Sequence, residues 1–389
     1  MGTHRACIIV LLLAGASSCA RYGTPELTGL PPAGTGGPLD SSQAAAVLRS
    51  ARWCPEGTEI AIGLVGGDST RYAGILRRND SLVYIDNSDS VFEVGSITKT
   101  FTGTMFAKLM RDGIVRPGDP VQKYLPVTLR ESAKNGREMT LLDLAEHTSG
   151  LPFEPTNLKG IAGRPFDPYS PYSNYTTTLL YEYLSGSLIL QYTPGERRTY
   201  SNLGGGLLGH ILTLATGKTY EQLLGETICV PLGMRSTFVE PAPGKERLMV
   251  HGRDARGGVL PPGGGDCGAL TGAGGIRSSV RDLIRYIRAN MTDTTFFALA
   301  QRPTRTFDAH LCGSPGWAPY CEGEFRHMGA FGATGGFTCG LIFERRLRVG
   351  VVVLTNVSAF TAMEHKPAES LCRALYDPLP SAAAGRGER

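Results

Sequence analysis

Beyond its first twenty residues, this 389-residue chain has no apolar stretch long enough to cross a bilayer. The nearest candidate, 341–354, is broken by Glu344, Arg345, Arg346 and Arg348. There is no C-x-x-C pair and no H-E-x-x-H, and the seven histidines are scattered, so no metal site is expected. No basic block stands out, and a net charge of +4 is small for this length, which argues against a nucleic-acid partner. Internal repeats are absent, and nothing calls for a cofactor. What remains is globular: 41% hydrophobic and 19% charged, with enough chain for a large core in one domain or two lobes. Glycine and proline are plentiful, which implies many turns and loops.

The N-terminus reads as an export signal over residues 1–19. Arg5 precedes an apolar run over 7–16, too short for a membrane span, and small residues follow. Two processing routes stay open. Cleavage after Ala20 would release a soluble protein. Cleavage before Cys19 would leave that cysteine for lipidation, although Ala16 stands where a bacterial lipobox usually has a larger aliphatic residue. The expected location is outside the cytoplasm, in the periplasm or at the cell surface, with membrane attachment through Cys19 on the second route. An exported chain makes disulfides plausible. Cys312 and Cys321 flank the loop CGSPGWAPYC and are the best local pair, while the odd number of later cysteines leaves one over.

Residues 20–44 are rich in Gly, Pro and Thr and read as a flexible tether, and 379–389 as a flexible tail. Between them, 45–378 reads as one domain, expected to be monomeric. Strands are expected over 60–65, 71–76 and 81–85, with Asn79 and Asp80 at a turn. Segments over 337–343 and 349–354, separated by the charged turn ERRLR, read as a hairpin. The middle is helical: 139–146, 176–190, 207–214, 219–228 and 280–289, with a closing helix over 361–375. The fold class is therefore α+β. One antiparallel sheet is built from both chain ends and flanked by helices, with a mostly helical lobe inserted. A cleft between the lobes is the expected place for a site.

Three stretches carry chemistry. In FEVGSITKTF, Ser96 and Lys99 stand three residues apart where the apolar period of Phe101, Met105 and Leu109 begins. They share a helix face near the N-terminus, where the dipole favours negative charge. A neutral Lys99 could take the Ser96 proton; an N-cap serine beside a surface lysine would look the same. In PGERRTYSNLGGGLLGHIL, Tyr200 and Asn202 lie between a Pro-Gly turn and an apolar helix starting near Leu203. Tyr-Ser-Asn also occurs at 172–174, in an irregular polar stretch, so the tripeptide alone says little, and Tyr172 reads as a surface residue. In GAFGATGGFTCGLIF, glycines allow the backbone to approach something bound, and a strand follows.

Together, Ser96-x-x-Lys99, Tyr200-Ser-Asn202 and the glycine-rich strand resemble the serine β-lactamase and penicillin-binding-protein superfamily. The likeness is greatest to its class C β-lactamase, D-alanyl-D-alanine carboxypeptidase and family VIII esterase branch. EHTSGLP at 146–152, VPLGMRSTF at 230–238 and GALTGAGGIRSSVRDLIRYI at 268–287 support it, so the likeness spans roughly 45–375. The resemblance implies that Ser96 is acylated, that Lys99 helps activate it, and that Tyr200 carries a proton to the leaving group and later helps activate water. It implies that Asn202 binds the acyl side chain and orients Lys99, and that the amides of Ser96 and Ala333 form an oxyanion hole. Gly332 and Thr334 would line the substrate strand, and Glu154 stands where class C enzymes commonly carry a glutamine.

One departure matters. ATGGF at 333–337 is intact, but the preceding triplet is Ala330-Phe331-Gly332, where relatives carry Lys-Thr-Gly or His-x-Gly. The missing cation would bind a substrate carboxylate and help keep the tyrosine's pKa low. His327 is the nearest substitute in sequence, or an ordinary strand-edge histidine. The expected function is a secreted serine hydrolase acting through a Ser96 acyl-enzyme on β-lactams, D-alanyl peptides or small esters. Its expected partner is a small-molecule or peptidoglycan-derived substrate, and the loss at Ala330 shifts weight toward substrates without a carboxylate. The rival reading is a catalytically weak penicillin-binding or sensing protein with slow deacylation.

Overall fold

The computed structural model describes residues 26–33, 39–52, 54–160, 167–261, 267–308, 311–319, 327–358 and 367–379. Strands β1 (Glu26–Thr28), β2 (Glu59–Gly66), β3 (Ser69–Arg78) and β4 (Ser81–Ile85) form half of an eight-stranded sheet. The other half comes from the far end of the chain: Ala318–Pro319, His327–Ala333, Thr338–Glu344 and Val349–Thr355. The halves join where β2 pairs antiparallel with Val349–Thr355, Ile62 opposite Val353. All neighbours in the sheet are antiparallel except β1, which runs parallel to β4.

The sheet is buried on both faces. Along β2, Ile60, Ile62 and Leu64 enter one core and Ala61 and Val65 the other, as the period of two along a strand demands. Such a strand reads as a continuous apolar run rather than an alternation. Helices α1 (Ser41–Ala51) and Pro367–Tyr376 cover the first face. Helix Val280–Thr292 lies on the second, its Val280, Ile284 and Ile287 packed in the larger core. That core continues into the inserted lobe of α2 (Thr98–Arg111), α3 (Leu141–Ala145), α4 (Thr177–Gly186) and α5 (Asn202–Thr216). Among the described residues, no helix is long and apolar enough to cross a membrane.

Several expectations shift. The segment read as a tether carries secondary structure: β1 falls inside it, and α1 begins at Ser41 behind Asp40, whose carboxylate accepts from the Gln43 amide at 2.9 Å while Gln43 reaches back to the Asp40 amide at 3.1 Å. The helix expected over 176–190 stops at Gly186, and that expected over 207–214 lengthens to Asn202–Thr216. The segment at 219–228 changes pitch at Gly225 into a π-turn, Gly225–Cys229, a local tertiary adjustment that propensity does not encode. Residues 361–366 of the closing helix lie outside the described residues, as does Cys321, the expected partner of the disulfide-bonded Cys312. Cys54, Cys229, Cys339 and Cys372 are buried thiols.

The glycines of α5 have a packing reason. A Cβ on Gly209 would stand 2.7 Å from Gly272 Cα, and one on Gly206 would stand 2.8 Å from Leu270 Cα. Helix α5 therefore lies nearly backbone to backbone against the short helix Thr271–Gly274. Gly209→Ala is expected to lower stability by about 1–3 kcal/mol despite alanine's better helix propensity. A denaturant titration reads this directly, and a gain in stability would show that the crossing can open.

Candidate active site

Strand Val91–Glu93 leads into a 3-10 turn, Gly95–Ile97, which runs on into α2. Ser96 thus sits in the turn and Lys99 in the first turn of α2. The turn is pressed against the strand His327–Ala333. A Cβ on Gly332 would fall 1.9 Å from Val94 O, and one on Gly95 would fall 2.6 Å from Ala333 N. Gly95 also has φ +50°, a region that favours glycine. These two glycines let the backbones of 94–96 and 332–333 touch, which brings the Ser96 and Ala333 amides to one spot. Backbone N–H groups from two segments are thereby brought to the side of Ser96, where such donors can stabilise an oxyanion.

The three expected reactive side chains are in contact. Ser96 Oγ lies 2.6 Å from the Tyr200 hydroxyl and 3.1 Å from Lys99 Nζ. Lys99 Nζ also donates to Asn202 Oδ1 at 2.8 Å and to the Ala273 carbonyl at 2.7 Å. Its stem passes beside Gly205, where a Cβ would stand 2.9 Å from Lys99 Cε. Lys99 Nζ is also 4.9 Å from the centre of the Tyr200 ring. Burial pushes the Tyr200 phenol up, but Lys99, the Ser96 hydrogen bond and the Arg198 charge outweigh it and hold its pKa below the ordinary value.

Tyr200 and Asn202 are braced by the HTSGLP segment. The Thr199 amide donates to His147 O at 2.7 Å, Gly195 N to Thr148 O at 2.6 Å, Gln191 N to Gly150 O at 2.7 Å, and Asn202 N to Phe153 O at 2.9 Å. His147 adopts φ +61° and accepts from the Ser201 amide at Nδ1, 3.2 Å away. Burial first, then the charges of Lys99 and Arg198, push its pKa well below the ordinary histidine value, so it is a neutral acceptor. Its ring stacks beside Tyr200 with centres 4.5 Å apart.

Tyr172 is not the surface residue its polar context suggests. Asn202 Nδ2 donates to its hydroxyl at 2.8 Å, and that hydroxyl donates to Glu154 Oε1 at 2.6 Å. This relay fixes the Asn202 amide with its oxygen toward Lys99. Among the described residues, Glu154 therefore reaches Lys99 through Tyr172 and Asn202. The second Tyr-Ser-Asn hid its importance, because the partner 30 residues away is invisible in a local reading. Thr334 is turned elsewhere: its hydroxyl donates to the buried Glu93 at 2.7 Å.

Two cavities meet at Ser96, Tyr200 and Phe331. One, of about 370 Å³, is lined also by Phe153, Asn202, Gly332 and Ala333. The other, of about 220 Å³, is lined also by Lys99, Glu146, His147, Arg198 and Ala330. His327 does not substitute for the missing cation. It is three residues from Ala330 on the same strand, an odd spacing that puts the two side chains on opposite faces of the sheet. Its ring lies 5.5 Å from that of Tyr376, on the closing helix.

A serine flanked by a lysine and a low-pKa tyrosine is the chemistry of serine hydrolases of the β-lactamase and DD-peptidase type, and known proteins agree. A family model described as β-lactamase matches residues 72–371. The D-alanyl-D-alanine-carboxypeptidase/endopeptidase AmpH of Escherichia coli K12 is 33% identical over 297 residues, 71% of this chain and 74% of the relative. A β-lactamase of Pseudomonas fluorescens is 29% identical over 206 residues, 52% of this chain and 51% of the relative. A solved β-lactamase/D-alanine carboxypeptidase of Yersinia pestis superposes with a TM-score of 0.71 over 88% of this chain and 96% of its own, and at 22% identity it speaks for the fold. The chain belongs to the β-lactamase family and is a serine hydrolase of that type.

Two outcomes test this geometry. Gly205→Ala should push the Lys99 stem and cut acylation of Ser96 by about 100-fold, since misplacements near 1 Å cost that much; Gly205→Ser should do the same. A rate within twofold of wild type in stopped-flow acylation would show that Lys99 has room to move. The second concerns Glu146, whose pKa is raised to about 7 by burial and by Asp143, against the pull of Arg305. Arg305 Nε stands 2.9 Å from Oε2 but off the line of a good hydrogen bond. A raised folded-state pKa gives stability that is present below the unfolded value and lost as pH rises through about 7. Glu146→Gln removes that loss, so the melting temperature of the variant minus that of wild type should increase from pH 5 to pH 8.

Proposed function

We propose that this chain is exported and hydrolyses amide or ester bonds of β-lactams, D-alanyl peptides or small esters through an acyl-enzyme on Ser96. The observation that carries the reading is the position of Ser96 Oγ, within hydrogen-bonding distance of both Tyr200 and Lys99. Tyr200, its pKa lowered, takes the Ser96 proton as Oγ attacks the carbonyl carbon. The carbonyl oxygen becomes an anion facing the amides of Ser96 and Ala333. Collapse breaks the bond to the leaving nitrogen or oxygen, which receives the proton from Tyr200. Water then attacks the ester, giving its proton to Tyr200, and release of the acid returns the proton to Ser96. Relatives named as carboxypeptidase/endopeptidase and as β-lactamase support the substrate classes. The N-terminal apolar segment and its small-residue flank support export, with Cys19 as the candidate lipid attachment.

A second reading rests on one residue. Ala330 lines the cavity beside Ser96 where relatives carry a cation, so acylation could outrun deacylation and leave a penicillin-binding or sensing protein.

Intact-protein mass after timed incubation with a penicillin separates these readings. A serine-dependent adduct that appears and clears indicates a β-lactamase; one that persists indicates the binding or sensing protein. Ser96→Ala is expected to lose the adduct and to lower hydrolysis of any substrate the wild type turns over by about a thousandfold or more. Full activity of Ser96→Ala on every such substrate would sink both.

A further inference from the structure

The absence of a cation at Ala330 leaves open what receives the negative end of a substrate. The cavity that Ala330 lines holds a second cationic side chain besides Lys99, that of Arg198. Arg198 is two residues before Tyr200, the spacing at which side chains of an extended chain share a face. Its neighbour Arg197 stacks over the Tyr192 ring at 3.2 Å, outside that cavity, so the two arginines divide their roles. The Arg198 guanidinium makes no hydrogen bond or ion pair with a described residue, although the charges of Tyr200 and Asp308 are felt there. Lys99, by contrast, is held by Ser96, Asn202 and the Ala273 carbonyl. Glu146 faces the same cavity but is engaged by Arg305 and Thr304. A half-buried guanidinium whose donors are unspent among the described residues, in the cavity of a reactive serine, is a ready donor to a carboxylate.

We propose that Arg198 is the specificity-determining cation of this enzyme, docking the free carboxylate of an acyl-D-amino acid or a β-lactam across the cavity from Ala330. This rests on the hydrolase reading above and deepens it by naming the substrate class. Arg198 then does from the tyrosine loop what relatives do from the strand. It runs opposite to the expectation that a neutral Ala330 turns the enzyme toward substrates without a carboxylate, and the test below decides between the two. The same charge also acts on Tyr200 and helps to hold its phenol below the ordinary range.

The test measures acylation of Ser96 by intact mass with benzylpenicillin, with its methyl ester, and with a neutral p-nitrophenyl ester, on the full chain. Wild type is expected to prefer the free acid to the methyl ester. Arg198→Ala should lose about 10- to 100-fold on the acid and much less on either ester, the range for a charged hydrogen bond. Its rising pH limb on the neutral ester should move to higher pH, because one cation near Tyr200 is gone; a merely structural role would not move it. Arg198→Lys should keep part of the preference, and Ala330→Lys added to Arg198→Ala should restore it. Where Arg198→Ala does not fold, the Lys variant and Ala330→Lys alone carry the comparison. Equal losses on acid and methyl ester, or a wild type acylated only by neutral esters, overturns the Arg198 assignment and leaves the hydrolase standing. No acylation of Ser96 by any of the three overturns both.

Discussion

The amine of Lys99 is the point on which this site depends. Its three oxygen neighbours come from three segments: Ser96 from the turn before α2, Asn202 from the start of α5, and the Ala273 carbonyl from the short helix packed on α5. A nitrogen drawn from water needs such partners, because a polar group buried without them costs several kcal/mol. The partners in turn fix the helices. Asn202 is held by Tyr172 and Glu154, and α5 can come near enough only because Gly205, Gly206 and Gly209 have no side chains. Removing any one of these constraints loosens a position that the chemistry needs to within a fraction of an ångström.

The sheet was largely readable from the sequence because its strands are continuous apolar runs bounded by turn residues, as at 60–65 and 349–354. The serine, lysine, tyrosine and asparagine were readable because motif spacing survives without knowledge of the fold. What escaped was everything set by contacts between distant segments. Tyr172 looked like a duplicate tripeptide in a polar loop, and its value comes from Asn202 and Glu154. Arg198 looked like one of two adjacent arginines; only the cavity distinguishes it from Arg197. β1 was hidden in a Gly- and Pro-rich stretch, since a short edge strand has little pattern of its own. Helix ends moved because local propensity is a weak prior against tertiary packing.

With Arg198 docking the substrate carboxylate, as proposed above, a family position changes while its electrostatic task stays in the cleft. The strand position is Ala330, and besides Lys99 on α2 the charge acting on the tyrosine comes from Arg198 on its own loop. Charge acts over several ångströms in a partly dry cavity and has no need of a particular backbone attachment. A hydrogen-bond donor such as the Ala333 amide has no such freedom, and accordingly the ATGGF run is kept intact while the triplet before it is not.

The seam at the centre of the sheet has a kinetic consequence. β2 is made well before its partner Val349–Thr355 and the strand that abuts Gly95. These contacts span nearly 300 residues of chain, and non-local pairing of this kind slows folding. Until those strands emerge, the Ser96 turn has no wall, and β2 presents an unpaired apolar edge. A chain that still lacks them has neither a complete core nor a complete reactive site, and its exposed apolar edge favours aggregation.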